Sequence, residues 1–304
     1  MEKQTIGRFA PTPSGRLHLG NIFTAMIGYL SARSQGGKYL LRIEDLDVAR
    51  CPKSVAYGIM RDLDYFGFEF DGEILWQSER AQVYERYLNT LERQGLIYPC
   101  YCSRAQLHAA TAPHGDTPVY DGTCRRLSPS ERPVRAGASR VIVPDKNVSF
   151  TDVLQGYYEQ NLVKECGDFI VRRADGVFAY QLAVTVDDGE SGVTEVVRGR
   201  DLLSSAPRQL FLFEKFGFQK PVFMHVPLLL DSDGARMSKR EGKSNMEYIR
   251  STLPDSRRVI GMLAFNAGLT DRYEPLSLNE LSREYNADKL KKDDILLDDC
   301  GIFS

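Results

Sequence analysis

No stretch of the 304-residue chain approaches the roughly 20 consecutive apolar residues that a membrane-spanning helix requires. Residues Met1 to Arg8 are charged and lack the apolar segment of a secretory signal. Charge of one sign is not in excess either: 39 Lys and Arg against 41 Asp and Glu leave a net charge of −2. No global field therefore draws in nucleic acid, and any such partner has to be held by a local patch. Cysteine is sparse, six in all, and three of these fall between positions 100 and 124, which does not suit a disulfide framework. Internal repeats and low-complexity tracts are missing, so a solenoid is excluded. These absences predict a cytoplasmic protein in a reducing compartment, with no membrane partner. What is present is an ordinary globular composition, 42% hydrophobic and 26% charged, and length enough for about two domains.

Extended and helical segments alternate at the start of the chain. Ile6 to Ala10 reads as a strand and about 21–35 as an amphipathic helix with Ile22, Ala25, Met26, Tyr29 and Leu30 on one face. Tyr39 to Ile43 reads as a second strand, and Pro52 to Phe66 as a helix with the proline in its first turn. A further helix, Ala81 to Gln94, stops at Gly95. This βαβα order predicts a parallel sheet covered by helices. From Tyr98 to about Arg140 the text becomes rich in Cys, Pro, Gly, Ser and His and reads as an insertion. Alternation resumes with Phe169 to Arg172 and Phe178 to Val186, followed by the strand Thr194 to Arg198. A helix through Gln209 to Phe216 and the strand His225 to Leu230 come next. From about Arg250 onward the chain looks helical and ends in a tail of mixed charge that offers little chemistry.

Two sites carry chemistry. Residues 8–21 run Arg-Phe-Ala-Pro-Thr-Pro-Ser-Gly-Arg-Leu-His-Leu-Gly-Asn. A strand feeding a helix through such a turn aims backbone N–H groups and the helix's positive end at one spot, which suits a phosphate, with His18 placed to contact it. An ordinary βα loop with a surface histidine has the same local look. The second site, Asp231 to Arg240, follows a strand with a Ser-Asp-Gly turn and then Arg236, Lys239 and Arg240. Such a loop can close on a triphosphate, with Lys239 stabilising charge as pyrophosphate departs; alone it also fits a solvated basic loop.

Taken together, His18-Leu-Gly-Asn21 and Arg236-Met-Ser-Lys-Arg240 resemble the two signature motifs of class I aminoacyl-tRNA synthetases. Arg8 to Gly15, Arg42 to Asp47, Val186-Asp-Asp188 and Gly192 to Gly199 are similar to the glutamyl-tRNA synthetase catalytic domain, in collinear order over about 6–240. The resemblance implies an α/β fold with a Rossmann-like parallel sheet in two halves, 1–97 and 141–240. A zinc-binding insertion at 98–140 and a short helical C-terminal region at 241–304 would complete it. It implies a ligase that joins L-glutamate to ATP, with Mg2+ accompanying the nucleotide. Glutamate would be held by Arg8, Phe9, Ala10, Pro11, Thr12, Glu44, Tyr180 and Arg198, and ATP by His18, Gly20, Asn21 and Lys239. His18 and Lys239 would be catalytic. The residue types agree: an ammonium needs a carboxylate such as Glu44, and a glutamate side chain needs a guanidinium fork such as Arg8 or Arg198. Asn21, Arg236, Arg240 and Val184 depart from the family pattern.

Cys100-Tyr-Cys102 with Cys124 suits tetrahedral zinc, with one position left for another donor; buried free thiols are the alternative. The resemblance implies Tyr120 as the fourth ligand, with His114 or His108 as the fallback, and the distance from both signatures argues for a structural role. Cys51, Cys166 and Cys300 are isolated and fit packing. The stretch from Glu241 to Ser304 that follows the second signature is too short for the family's anticodon-binding domain, and none is expected. The similarity is closer to a stand-alone bacterial branch that esterifies glutamate onto queuosine in the anticodon loop of tRNA-Asp. A monomer acting on tRNA-Asp bearing queuosine is expected. The alternatives are a minimal synthetase charging a tRNA 3′ end and a catalytically silent glutamate- or nucleotide-binding relative.

Overall fold

The computed structural model describes residues 4–103, 119–231, 233–235 and 246–300. Lys239, Arg236 and Arg240, together with His108 and His114, lie outside the described residues.

The chain opens with β1 (Ile6–Phe9), α1 (Leu19–Ser34), β2 (Lys38–Ile43), α2 (Lys53–Tyr65) and β3 (Leu75–Trp76). The three strands pair in parallel in the order β1-β2-β3, with Arg8 opposite Leu40 and Arg42 opposite Leu75. Pro52 stands at the N-cap of α2, just outside the first helical turn. After α3 (Ala81–Arg93), β4 (Ile97–Cys100) begins an antiparallel sheet with β5 (Ala138–Val141). β6 (Asn147–Asp152) and β7 (Gly156–Asn161) form a hairpin, α4 (Leu162–Glu165) follows, and β8 (Phe169–Arg172) completes the antiparallel sheet beside β5.

The stretch 178–186, whose letters suit a strand as well as a helix, is the start of α5 (Tyr180–Glu190). Both of its faces are covered, so period-2 and period-3.6 patterns cannot be told apart there. β9 (Glu195–Gly199) then leads through a 3-10 turn into α6 (Ala206–Phe216), and β10 (Val222–Val226) pairs with β9 in parallel. Thr194 N donates to Ile6 O at 2.9 Å, which places β9 alongside β1 and brings the two halves of the parallel architecture together. The expected strand 225–230 is broken at Pro227. Its second piece is β11 (Leu229–Leu230), because proline has no N–H for a ladder.

Three helices follow: α7 (Met246–Thr252), α8 (Arg257–Ala267) and α9 (Leu278–Glu284). They join the core around α1, with α9 directly against that helix, and this changes the character expected of it. Phe23 and Ile27 are buried as completely as Ile22 and Met26, so α1 is enclosed on all sides rather than along one stripe. Inside it, Gly28 leaves room for the Tyr39 ring, whose hydroxyl donates to Ala25 O at 3.0 Å; a Cβ on Gly28 would stand 2.7 Å from that hydroxyl. The C-terminal tail also departs from expectation. It forms β12 (Ile295–Leu296), parallel to β11, so this segment returns to the sheet side of the molecule rather than hanging as a helical appendage. A second core joins α3, β5, β8, α5 and α6.

Candidate active site

β1 and β9 each carry an arginine near their ends, and the ends of both strands open into one cavity of about 450 Å³. Its wall is made by Arg8, Phe9, Ala10, Pro11 and Thr12 at and after the end of β1, and by His18, Gly20 and Asn21 at the start of α1. Glu44 just beyond β2, Tyr180 at the start of α5 and Arg198 in β9 close the other side. Every glutamate-site residue expected from the sequence therefore lines one space, together with His18, Gly20 and Asn21. Lys239 falls outside the described residues. Val184 is buried and is not part of this wall.

The loop after β1 is tied to β2 by Glu44 N donating to Pro11 O at 3.0 Å and by Thr12 Oγ1 donating to Glu44 Oε2 at 3.3 Å. His18 is the N-cap of α1, and its N–H donates to Asn21 Oδ1 at 3.0 Å. Asn21 thus closes the first turn of the helix that points its positive end at the cavity.

Beneath the wall runs a buried chain of alternating charge. Arg8 Nε donates to Asp188 Oδ1 at 3.1 Å, and Arg42 Nη1 reaches the same oxygen at 2.5 Å. Arg42 Nη2 donates to Glu44 Oε1 at 3.1 Å. A second branch holds Asp187 with Arg80, Gln77 and Tyr84 at 2.7–3.1 Å. Burial alone would raise the Asp188 carboxyl, but Arg42 and Arg8 together hold it below the ordinary 3.8. Burial raises Glu44, and Arg42 only partly offsets this. Arg8 also donates through Nη1 to Val197 O at 3.2 Å, which fixes its guanidinium between β1 and β9.

Asp188 and Arg42 stand in motifs that carry the family resemblance, but the sequence alone does not assign their structural task. A signal for it is there: two adjacent aspartates closing an apolar helical run demand buried cations. Gly199, Asp201, Leu202 and Pro227 to Leu229 also line the cavity, and sequence reasoning does not single them out as ligands. Asp294 in the tail stands behind this wall. It accepts from Leu228 N at 2.8 Å and pairs with Arg200 at 3.2 Å.

Away from the cavity, Cys100, Cys102 and Cys124 bring their sulfurs within 4.8 Å of one another. Tyr120 Oη is 3.5 Å from Cys100 Sγ and 3.8 Å from Cys102 Sγ, and Cys102 and Cys124 sulfurs are 3.4 Å apart. A tetrahedral zinc with bonds of about 2.0–2.3 Å has ligand–ligand edges of roughly 3.5–3.8 Å, so three thiols and a phenol oxygen fit that ion. The Arg140 guanidinium lies over the Tyr120 ring, 3.8 Å from its centre. The cluster can hold a metal ion, and its residues are not part of the cavity wall.

Known proteins resemble the chain over most of its length. The family described as tRNA synthetases class I (E and Q), catalytic domain, matches residues 4–286. A glutamyl-Q tRNA(Asp) synthetase of Symbiobacterium thermophilum is 45% identical over 308 aligned positions, covering 95% of this chain and 94% of that protein. One from Geobacter sulfurreducens is 48% identical, covering 86% and 82% respectively. The crystal structure of a glutamate tRNA ligase from Elizabethkingia meningosepticum, in complex with its amino acid, superposes with a TM-score of 0.84 at 25% identity. It covers 99% of this chain and 68% of that one.

The charge chain makes a stability prediction. Asp188→Ala leaves Arg8 and Arg42 short of their shared carboxylate and should lower the unfolding free energy by about 3–5 kcal/mol. Because the folded Asp188 holds its proton less tightly than the unfolded one, its contribution is complete above 3.8 and is lost as pH falls through the folded value. Urea denaturation of both proteins should show the full difference near neutral pH and a smaller one in strong acid.

Proposed function

The chain belongs to the class I tRNA synthetases for glutamate and glutamine, and from that membership we propose that it activates L-glutamate with ATP and transfers it to queuosine in the anticodon of tRNA-Asp. The observation that carries the reading is the convergence of Arg8, Arg198 and Glu44 on one cavity at the positive end of α1. Glu44 is the anionic group for the substrate's ammonium, and Arg8 and Arg198 are the cations for its side-chain carboxylate. Tyr180 lines the same wall, its hydroxyl raised by burial and by Glu44 nearby.

Class I synthetases use ATP and Mg2+. The α-carboxylate of glutamate forms a bond to the α-phosphorus, the bond to the β-phosphate oxygen breaks, and pyrophosphate leaves. A queuosine hydroxyl then attacks the activated carbonyl and AMP departs. The chain contributes position and positive charge rather than a covalent nucleophile. His18, Gly20 and Asn21 take the phosphates at the α1 terminus, with Lys239 added by its place in the second signature. The names of the curated relatives support queuosine as acceptor over a tRNA 3′ end.

Glutamate-dependent ATP–pyrophosphate exchange tests the first step, and absence of exchange at high glutamate rejects it. Labelled glutamate should then pass to queuosine-containing tRNA-Asp and not to unmodified tRNA-Asp or tRNA-Glu; transfer to tRNA-Glu alone rejects the acceptor. Lys239→Ala should lower exchange kcat by about 10²–10³-fold, the scale of losing one transition-state charge contact. Its glutamate Kd, measured by calorimetry, should stay near that of the unaltered chain.

Zinc held by Cys100, Cys102, Cys124 and the Tyr120 oxygen fastens the 98–140 insertion. Tyr120 Oη already accepts from Cys124 N at 2.8 Å, which orients the oxygen toward the three sulfurs. Burial pushes the Cys102 thiol up to about 11, so the ion displaces protons on binding and is held less tightly in acid. Metal analysis should find about one zinc per chain. Replacing Cys100 and Cys102 by Ser should abolish it and speed proteolysis within 98–140, while glutamate-dependent exchange changes little.

A further inference from the structure

Behind Arg198, on the side away from the cavity, lies a histidine that none of the chemistry above uses. His225 is fully buried on β10, at the register position opposite Arg198 on β9. Its Nε2 is 3.0 Å from Arg198 Nε, and its Nδ1 is 2.5 Å from Asp152 Oδ2. The two neighbours impose the same tautomer. A guanidinium N–H can only donate, so Nε2 must present its lone pair; a carboxylate can only accept, so Nδ1 must carry the proton. Asp152 is itself anchored, accepting from the N–H groups of Leu154 and Gln155 at 3.0 Å and from His225 N at 3.1 Å. Those bonds and His225 hold its carboxyl below the ordinary value although burial opposes them. Burial likewise lowers His225, in keeping with a neutral ring.

One N–H of each terminal nitrogen of Arg198 is also taken, which leaves the other two for a ligand. Nη1 donates to Gln209 Oε1 at 2.8 Å, and Nη2 to Leu202 O at 3.3 Å. Gln209 is locked in turn by Gln181 at 3.1 Å. The Phe223 ring stacks on the His225 imidazole, their planes 15° apart, and Arg198 lies over the same phenylalanine. Of these contacts, only the imidazole ties Arg198 Nε to a second anchored strand.

We infer that His225 is a positioning residue for substrate binding: relayed from Asp152, its Nε2 sets the guanidinium plane that Arg198 presents to the cavity. This rests on the reading of Arg198 as a glutamate ligand. A ligand orienter of this kind acts as outer partners act on metal ligands, by fixing rotamer and tautomer before the substrate arrives. Its loss falls on glutamate affinity and leaves the phosphate chemistry at the α1 terminus untouched.

Two conservative variants separate positioning from core filling. In His225→Gln the side-chain oxygen can stand near the Nε2 position and accept from Arg198, while the Asp152 contact is lost. In His225→Asn the amide N–H can still donate to Asp152, but nothing reaches Arg198 Nε. Exchange kinetics should show glutamate KM raised at least about tenfold in His225→Asn, the scale of one charge-assisted hydrogen bond. Its kcat and ATP KM should stay within about threefold. His225→Gln keeps the acceptor for Arg198 without the Asp152 relay, so its glutamate KM should rise by less than that of His225→Asn, with kcat and ATP KM again within about threefold. Thermal melts establish that both variants are folded. Equal glutamate KM in both variants, or an equal loss for glutamate and ATP, overturns the inference. Arg198→Ala serves as the control. If it does not raise glutamate KM, the reading of Arg198 falls and the inference with it. If it does while His225→Asn does not, only the inference falls.

Discussion

The shared oxygen of Asp188, held between Arg8 and Arg42, is the contact on which the rest of the site depends. At about 3 Å and an effective dielectric constant near 20, each such pair gains about 5 kcal/mol. Withdrawing each ion from water costs several kcal/mol, so gain and cost nearly cancel while the chain of charges is complete. Removal of one link leaves an opposite charge buried without compensation. The alternation Arg8, Asp188, Arg42, Glu44 is therefore a constraint on position more than a source of stability. It binds β1, β2 and α5 at one point and holds one cation and one carboxylate at the cavity wall.

The sum of those charges bears on what the cavity accepts. Arg8 and Arg42 balance Asp188 and Glu44, and Asp187 is balanced by Arg80. Among the described residues Arg198 makes no ion pair with a carboxylate: its guanidinium donates to an imidazole, an amide and a backbone carbonyl. Asp201 lines the same cavity, so the wall holds acidic as well as basic groups, and Arg198 is the guanidinium there that meets no carboxylate at contact distance. A glutamate carboxylate would supply that partner, and a neutral side chain would not.

The parts of the fold that are legible in the sequence are those encoded locally. Period and breakers locate β1, α1, β2, α2 and α3, because each begins and ends on a residue with its own conformational reason, such as Pro52 or Gly95. The single strand expected at 225–230 fails for a local reason too: Pro227 lies within it, and proline ends a ladder. Periodicity covers α1 on one face only, since β9 and α9, which close its other sides, lie far along the chain at Glu195–Gly199 and Leu278–Glu284. The residues that line the cavity are largely legible through motifs. Their supports are not, because Arg8 meets Asp188 across 180 positions and His225 meets Asp152 across 73. Nothing in the local text around His225 distinguishes a relay from a core histidine.

The tail makes the same point in a place where sequence suggests little chemistry. Ile295 N donates to Leu228 O at 2.9 Å and Leu297 N to Leu230 O at 3.0 Å, while Asp294 accepts from Leu228 N. Leu228 and Leu229 line the cavity, and Asp231 follows β11 directly. Pro227 has broken the strand here, so β11 lacks the ladder continuity that would fix it from β10. β12 supplies that pairing from the other end of the chain. The backbone at 228–230, of which Leu228 and Leu229 line the cavity, is thus held by residues 294–297 from far along the chain. A segment of mixed charge with a two-residue strand supports the cavity wall by satisfying the backbone groups of that stretch.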